Sequence, residues 1–96
     1  MYAVISRYRF RTAPSEELLR RIEDEGVAPI TQQPGFRAYS AVRHSATDVT
    51  SVYLWESQEA AERGSQAQGA WAKDHLVSEI ASAERSVGEV VVERRK

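Results

Sequence analysis

The chain contains no cysteine, which excludes both a disulfide framework and a thiolate metal site. Histidine is almost as scarce. His44 and His75 are the two imidazoles, and they lie too far apart in sequence to offer a metal-ligand spacing. The expected chemistry therefore proceeds without a protein-bound metal. Charge of one sign is also missing: 13 basic and 14 acidic side chains leave a net charge of -1. They are interspersed rather than blocked, so there is no electrostatic footprint for nucleic acid or an anionic membrane. No apolar run reaches membrane-spanning length, and no charged-then-apolar leader precedes the first strand-like residues. A soluble, cytoplasmic protein is expected. Repeats, low-complexity segments and linkers are absent too, so the 96 residues read as one domain. A chain this short gains considerably from burying a second surface against a partner.

What is present is alternation broken by a few clear punctuation marks. Tyr2 to Phe10 places Tyr2, Val4, Ser6, Tyr8 and Phe10 on one face and Ala3, Ile5, Arg7 and Arg9 on the other, which predicts a first strand. Thr12 or Ala13 before Pro14, with Glu16 and Glu17 close behind, predicts a helix start. Leu18, Leu19 and Ile22 continue its apolar face. Pro29 should kink or end that helix near Ala28, leaving Thr31 to Gly35 as the connection. Phe36 to Arg43 alternates as a second strand, with Phe36, Ala38, Ser40 and Val42 opposite Arg37, Tyr39, Ala41 and Arg43. The polar turn His44 to Asp48 returns the chain antiparallel into a third strand, Val49 to Trp55. Ser57 can cap a second helix. Gly64 and Gly69 each cost about 1 kcal/mol against alanine, predicting a break before the helix resumes around Trp71 and runs to roughly Arg85. Gly88 ends it, Val90 to Val92 form the last strand, and Arg94 to Lys96 are a solvated tail. The order β-α-β-β-α-β is ferredoxin-like α+β, a four-stranded antiparallel sheet with both helices on one face.

Two of these marks carry a resemblance. Gln33-Pro34-Gly35-Phe36, followed about twenty residues later by Leu54-Trp55-Glu56-Ser57-Gln58-Glu59-Ala60-Ala61, resembles the antibiotic biosynthesis monooxygenase family of dimeric α+β barrels. The likeness covers nearly the whole chain. It implies a homodimer in which two sheets close on each other. It also implies cofactor-independent oxidation of an electron-rich phenol, anthrone or hydroquinone by dioxygen to a quinone, with no flavin or metal.

The same resemblance places Trp55 at the end of the third strand in a pocket, where its indole N–H can hold a substrate oxygen and its ring can stack on an aromatic substrate. The family pattern has an asparagine four residues before that tryptophan and a tyrosine six residues after it. Here these are Ser51 and Ala61. Ser51 still donates one hydrogen bond, Ala61 none. Tyr39, Tyr53, Tyr8 or Tyr2 can supply a phenol from another direction. His75, on the second helix, is the candidate base, and Trp71 four residues before it is expected to wall the pocket. The candidate site is thus His75, Trp55 and Ser51 for chemistry and Trp71, Tyr53 and Tyr39 for a small aromatic substrate. Arg7 and Arg9, two cations on one strand face, require carboxylates, solvent or an anionic ligand. A haem-degrading branch uses a histidine ligand on this helix, but its first-strand asparagine is replaced here by Ser6-Arg7. The departures at Ser51 and Ala61 favour a non-catalytic ligand-binding or stress-response dimer as the alternative. An RNA-binding ferredoxin-like module would need a basic aromatic strand motif that this chain lacks.

Overall fold

A computed structural model describes residues 1–96 and gives the order β1 (Tyr2–Phe10), α1 (Glu16–Arg21), a π-helical turn (Ile22–Val27), α2 (Ala28–Thr31), β2 (Phe36–Arg43), β3 (Asp48–Trp55), α3 (Gln58–His75) and β4 (Ile80–Glu89). The strands form one antiparallel sheet in the order β2-β3-β1-β4. This is the ferredoxin-like α+β arrangement. No helix is long and apolar enough to cross a membrane.

The first helix starts at Glu16, two residues beyond the Pro14 start that the Thr12–Pro14 cue suggests. Ser15 is its cap, its Oγ accepting from the Leu18 N–H at 3.0 Å. Pro29 does not end it. The chain widens into a π turn in which the Ala28 N–H reaches back five residues to the Glu23 carbonyl. Pro29 then falls in the first turn of α2, where a missing N–H costs least. Reversal into β2 uses Gly35 at φ +89°, a left-handed value that side chains resist, and a Cβ there would lie 2.8 Å from that of Ala60.

Strict alternation fails once in β2. The register shifts between Phe36 and Ala38, so Phe36 pairs with Trp55 and Ala38 with Leu54. Phe36 therefore joins the helix-facing side, its ring 5.7 Å from that of Trp55 and 6.5 Å from that of Tyr53. Ala38, Ser40 and Val42 go to the opposite face.

The second half departs further from expectation. Helix α3 is continuous through both glycines, because each accommodates a neighbour that a methyl would strike. A Cβ on Gly64 would run into the Trp55 indole, and one on Gly69 into the Arg85 guanidinium. Ser57 caps this helix, accepting from the Ala60 N–H at 3.1 Å. It stops at His75, and Ile80 to Glu89 form β4 against β1. Ala81, Ala83, Glu84 and Arg85 favour helix locally, but β1 has a free edge whose amides and carbonyls need partners. Tertiary pairing prevails. Val90 to Val92 lie beyond the strand, with the Val90 N–H still donating to the Met1 carbonyl at 2.9 Å.

The core lies between the sheet and the helices: Val4, Tyr53 and Trp55 from the strands, Val27 and Ile30 from the first helical run, and Ala60 and Ala61 from α3. Trp55 is wholly buried. The other sheet face carries Ala3, Ile5, Val42, Val52 and Leu54 with no helix over it, and Ile5 and Val42 remain about half exposed.

Candidate functional site

The helix-facing side of β1, β2 and β3 carries Tyr8, Tyr39, Ala41, Ser51 and Tyr53, brought level by the pairs Ser6–Ser51, Ala41–Ser51 and Tyr39–Tyr53. Where the first helical run and α3 diverge above them, a cavity of about 230 Å³ remains. Its volume lies just below the ~300–1,000 Å³ usual for small-molecule sites, a size for a compact fused-ring compound. Most of the lining is aliphatic or aromatic, and Trp71 closes one side. Gly26 makes that closure possible, since a Cβ there would stand 2.9 Å from the indole. The π turn carrying Gly26 also brings Glu23 into the lining.

One polar cluster interrupts the apolar wall. Gln68 on α3 is buried at 7% exposure, and its Nε2 donates to Ser6 Oγ at 2.8 Å, Tyr8 Oη at 2.7 Å and, more distantly, Ser51 Oγ at 3.4 Å. Its Oε1 is buried with no partner. An unpaired buried acceptor costs about 1–3 kcal/mol. The reverse amide orientation would strand two N–H protons instead of one oxygen, so the observed one is preferred.

Of the residues singled out from sequence, Ser51, Tyr39, Tyr53 and Trp71 line this cavity. Trp55 does not: its ring is sealed in the core against Gly64, and its Nε1–H is buried without a partner. Nor does His75, which is exposed and stacks on Trp71 with ring centroids 4.8 Å apart. Tyr8 lines both the cavity and an adjoining open cleft that also contains Lys73, Glu84 and Arg85. Gln68 escaped sequence reasoning. The signal that exposes it is a polar side chain on the buried stripe Ala60, Ala61, Gly64, Gln68 of an amphipathic helix.

Burial pushes the Tyr39 hydroxyl up to about 12, with nearby Tyr8 and Glu23 adding to the effect. Burial raises Tyr53 as well, helped by Tyr39 and Tyr8. Both phenols are therefore neutral donors at ordinary pH. They cannot serve as bases there. Away from the cavity, Arg9 and Arg7 bind Asp48 at 3.2 and 3.6 Å, and the hydrogen bond from Arg9 leads in holding that carboxyl below its usual value. These two cations already have their carboxylate. No group of three or more histidine, cysteine or acidic side chains is placed to hold a metal ion.

Residues 1–74 match the sequence profile described as Antibiotic biosynthesis monooxygenase. Among curated proteins none matches the chain. Solved structures do. SnoaB, a cofactor-independent oxygenase from Streptomyces nogalater in a mutant form, is similar at TM-score 0.76 and 12% identity, with 99% of this chain and 97% of that one covered. Rv0793 from Mycobacterium tuberculosis is similar at TM-score 0.73 and 19% identity, with 98% of each chain covered. A monooxygenase from the gene ActVA-Orf6 of Streptomyces coelicolor, in complex with nanaomycin D, is similar at TM-score 0.72 and 17% identity, covering 99% and 91%. At such identities these structures establish a shared fold and no more. The profile match spans most of the sequence, and the chain belongs to the antibiotic biosynthesis monooxygenase family.

Proposed function

We propose that the chain is a cofactor-independent monooxygenase that oxidises an electron-rich phenol, anthrone or hydroquinone with dioxygen to a quinone. The observation that carries this reading is the largely apolar cavity between sheet and helices, walled in part by Tyr8, Tyr39, Tyr53 and Trp71, with a carboxylate and a hydroxyl cluster in its lining. Family membership and the ligand named for the Streptomyces coelicolor structure agree with it. In the ring-oxygenation case the substrate loses its phenolic proton, and the anion passes one electron to dioxygen. The two radicals join at the ring carbon. Loss of water from the resulting peroxide leaves one oxygen as the new carbonyl, the other departing as water. An ionised phenol is a sufficient electron donor, so neither flavin nor metal is needed.

Glu23 is the one carboxylic side chain of the lining and so the candidate proton acceptor, while Ser51 and the neutral Tyr39 and Tyr53 hydroxyls face the substrate oxygen. Trp71, Tyr39 and Tyr53 bracket the ring. His75 stacks on Trp71 and buttresses that wall of the cavity from outside. Trp55 supports the cavity floor from within the core. We also propose a homodimer, because the apolar strip of Ile5, Val42, Val52 and Leu54 is of the kind a second copy covers.

Two observations favour the second reading, a ligand-binding dimer without turnover: the Trp55 N–H is sealed from the cavity, and His75 lies outside it. Haem degradation is disfavoured, since a haem exceeds the cavity and His75 does not reach into it. The deciding experiment is dioxygen uptake together with quinone absorbance over a panel of anthrones, naphthols and hydroquinones, using metal-free protein and a Glu23→Gln control. Turnover that falls in the control supports the oxygenase. Binding of the same compounds with no oxygen consumed would replace it with the ligand-binding reading.

A further inference from the structure

We infer that Tyr8, positioned by Gln68, is the hydrogen-bond donor that holds the ligand's oxygen as it becomes anionic. The inference rests on the oxygenase reading for the kind of ligand, an aromatic with an ionisable oxygen, and on geometry for the residues. Tyr8 Oη lies 2.7 Å from Gln68 Nε2, and an amide nitrogen can only donate, so the phenol oxygen is the acceptor. Its own proton is consequently turned away from the amide and has no acceptor within the chain. The Tyr8 side chain lines the cavity, so that proton is available to an oxygen bound there. Accepting one hydrogen bond also makes a hydroxyl a better donor of the next.

A second observation points the same way. The Gln68 amide is 93% buried and leaves its oxygen unpaired while both N–H protons are committed, chiefly to Ser6 and Tyr8. A buried group held at its own expense marks a position where orientation of a neighbour matters. Tyr8 on β1 and Gln68 on α3 thus supply a donor from the side of the cavity where Ser51 offers a single hydroxyl and Ala61 offers nothing. The groups around Tyr8 are Tyr39, Tyr53 and Glu23 across the cavity, and Lys73, Glu84 and Arg85 in the adjoining cleft, where Arg85 Nε is engaged by Ser65 at 2.8 Å. Tyr8 is therefore a catalytic residue on this assignment, and Gln68 a positioning residue.

The test is a spectroscopic titration of bound 4-nitro-1-naphthol, a two-ring phenol whose anion is yellow, on the wild-type protein, Tyr8→Phe and Gln68→Leu. On wild type the bound dye should ionise at a lower pH than on Tyr8→Phe by about one pKa unit, a tenfold difference in preference for the anion. Gln68→Leu should shift the midpoint in the same direction by less, because the donor remains but is no longer held. A merely structural role would alter affinity or melting temperature without moving the midpoint. An unchanged midpoint in Tyr8→Phe, with the dye bound and model substrates still oxidised, overturns this inference and leaves the oxygenase reading standing. Failure of the wild type to bind any aromatic phenol overturns both. Should Gln68→Leu fail to fold, Tyr8→Phe decides alone, since it removes one oxygen and no packing.

Discussion

Replacing Gly64 by alanine sets two physical effects against each other, and the structure decides between them. On helix propensity alone, alanine should stabilise the middle of α3 by about 0.5–1 kcal/mol. The new methyl, however, would overlap three atoms of the Trp55 indole, a side chain with no exposed surface into which to retreat. Overpacking of this kind costs about 1–3 kcal/mol, and with both surfaces fixed the upper end applies. The net loss is then about 2 kcal/mol, or a fall in melting temperature on the order of 10 °C for a domain of this size. Gly69→Ala is the internal comparison: its methyl meets the movable end of Arg85, so propensity dominates and stability should hold or rise by up to about 1 kcal/mol. Urea denaturation followed by tryptophan fluorescence measures both, at one fixed protein concentration so that association does not shift the midpoint. Trp55→Phe in the Gly64→Ala background should recover part of the loss, giving a non-additive cycle. If Gly64→Ala melts at or above the wild-type temperature, the claim that Gly64 exists to admit the Trp55 ring is wrong.

Two further outcomes follow from single contacts. Ser57→Ala removes the hydroxyl that accepts from Ala60 N–H and should cost about 1 kcal/mol in the same urea assay, whereas Ser57→Asp should retain most of the stability. The tyrosines make the protein sensitive to alkali. Tyr39 keeps its proton to about 12 when folded but loses it near the ordinary tyrosine value of 10.0 when unfolded, so between these values the folded state binds more protons and stability falls as pH rises. The contribution is fully present below pH 10.0 and lost through about 12. Stability measured against pH, with phenolate absorbance alongside, should show that decline, and it should be smaller in Tyr39→Phe.

The strands in the first half of the chain are legible because their signals are local, whereas the π turn before Pro29 leaves no such mark. Alternation in Tyr2–Phe10 and the polar turn between β2 and β3 each report their own structure without help from elsewhere. The β2 bulge was not, since a single extra residue at Arg37 leaves the sequence alternating while moving Phe36 to the other face. Residues 76–92 misled for a different reason: Ala81, Ala83, Glu84 and Arg85 favour a helix, and the free edge of β1 that recruits them as β4 is visible only in three dimensions. Glycines in α3 were read by their intrinsic cost, although that cost is offset by what sits against them. The cavity wall could be drawn in part from aromatic residues on predicted strands. The hydrogen bonds linking Gln68 to Ser6, Tyr8 and Ser51 could not, because they join residues as many as 62 positions apart.

The widened turn at Ile22–Val27 ties the chain's length to the shape of its cavity. A regular helix advances about 100° per residue, so one surplus residue rotates everything after it by that angle. Here the rotation sets Gly26 against Trp71, brings Glu23 to the cavity and still returns Ile30 to the core. Deleting a residue from this turn would straighten the helix but turn Ile30 out of the core or Glu23 away from the cavity. The helix cannot be shortened by one position and keep both, which makes this stretch intolerant of length variation even though most of its surface is exposed.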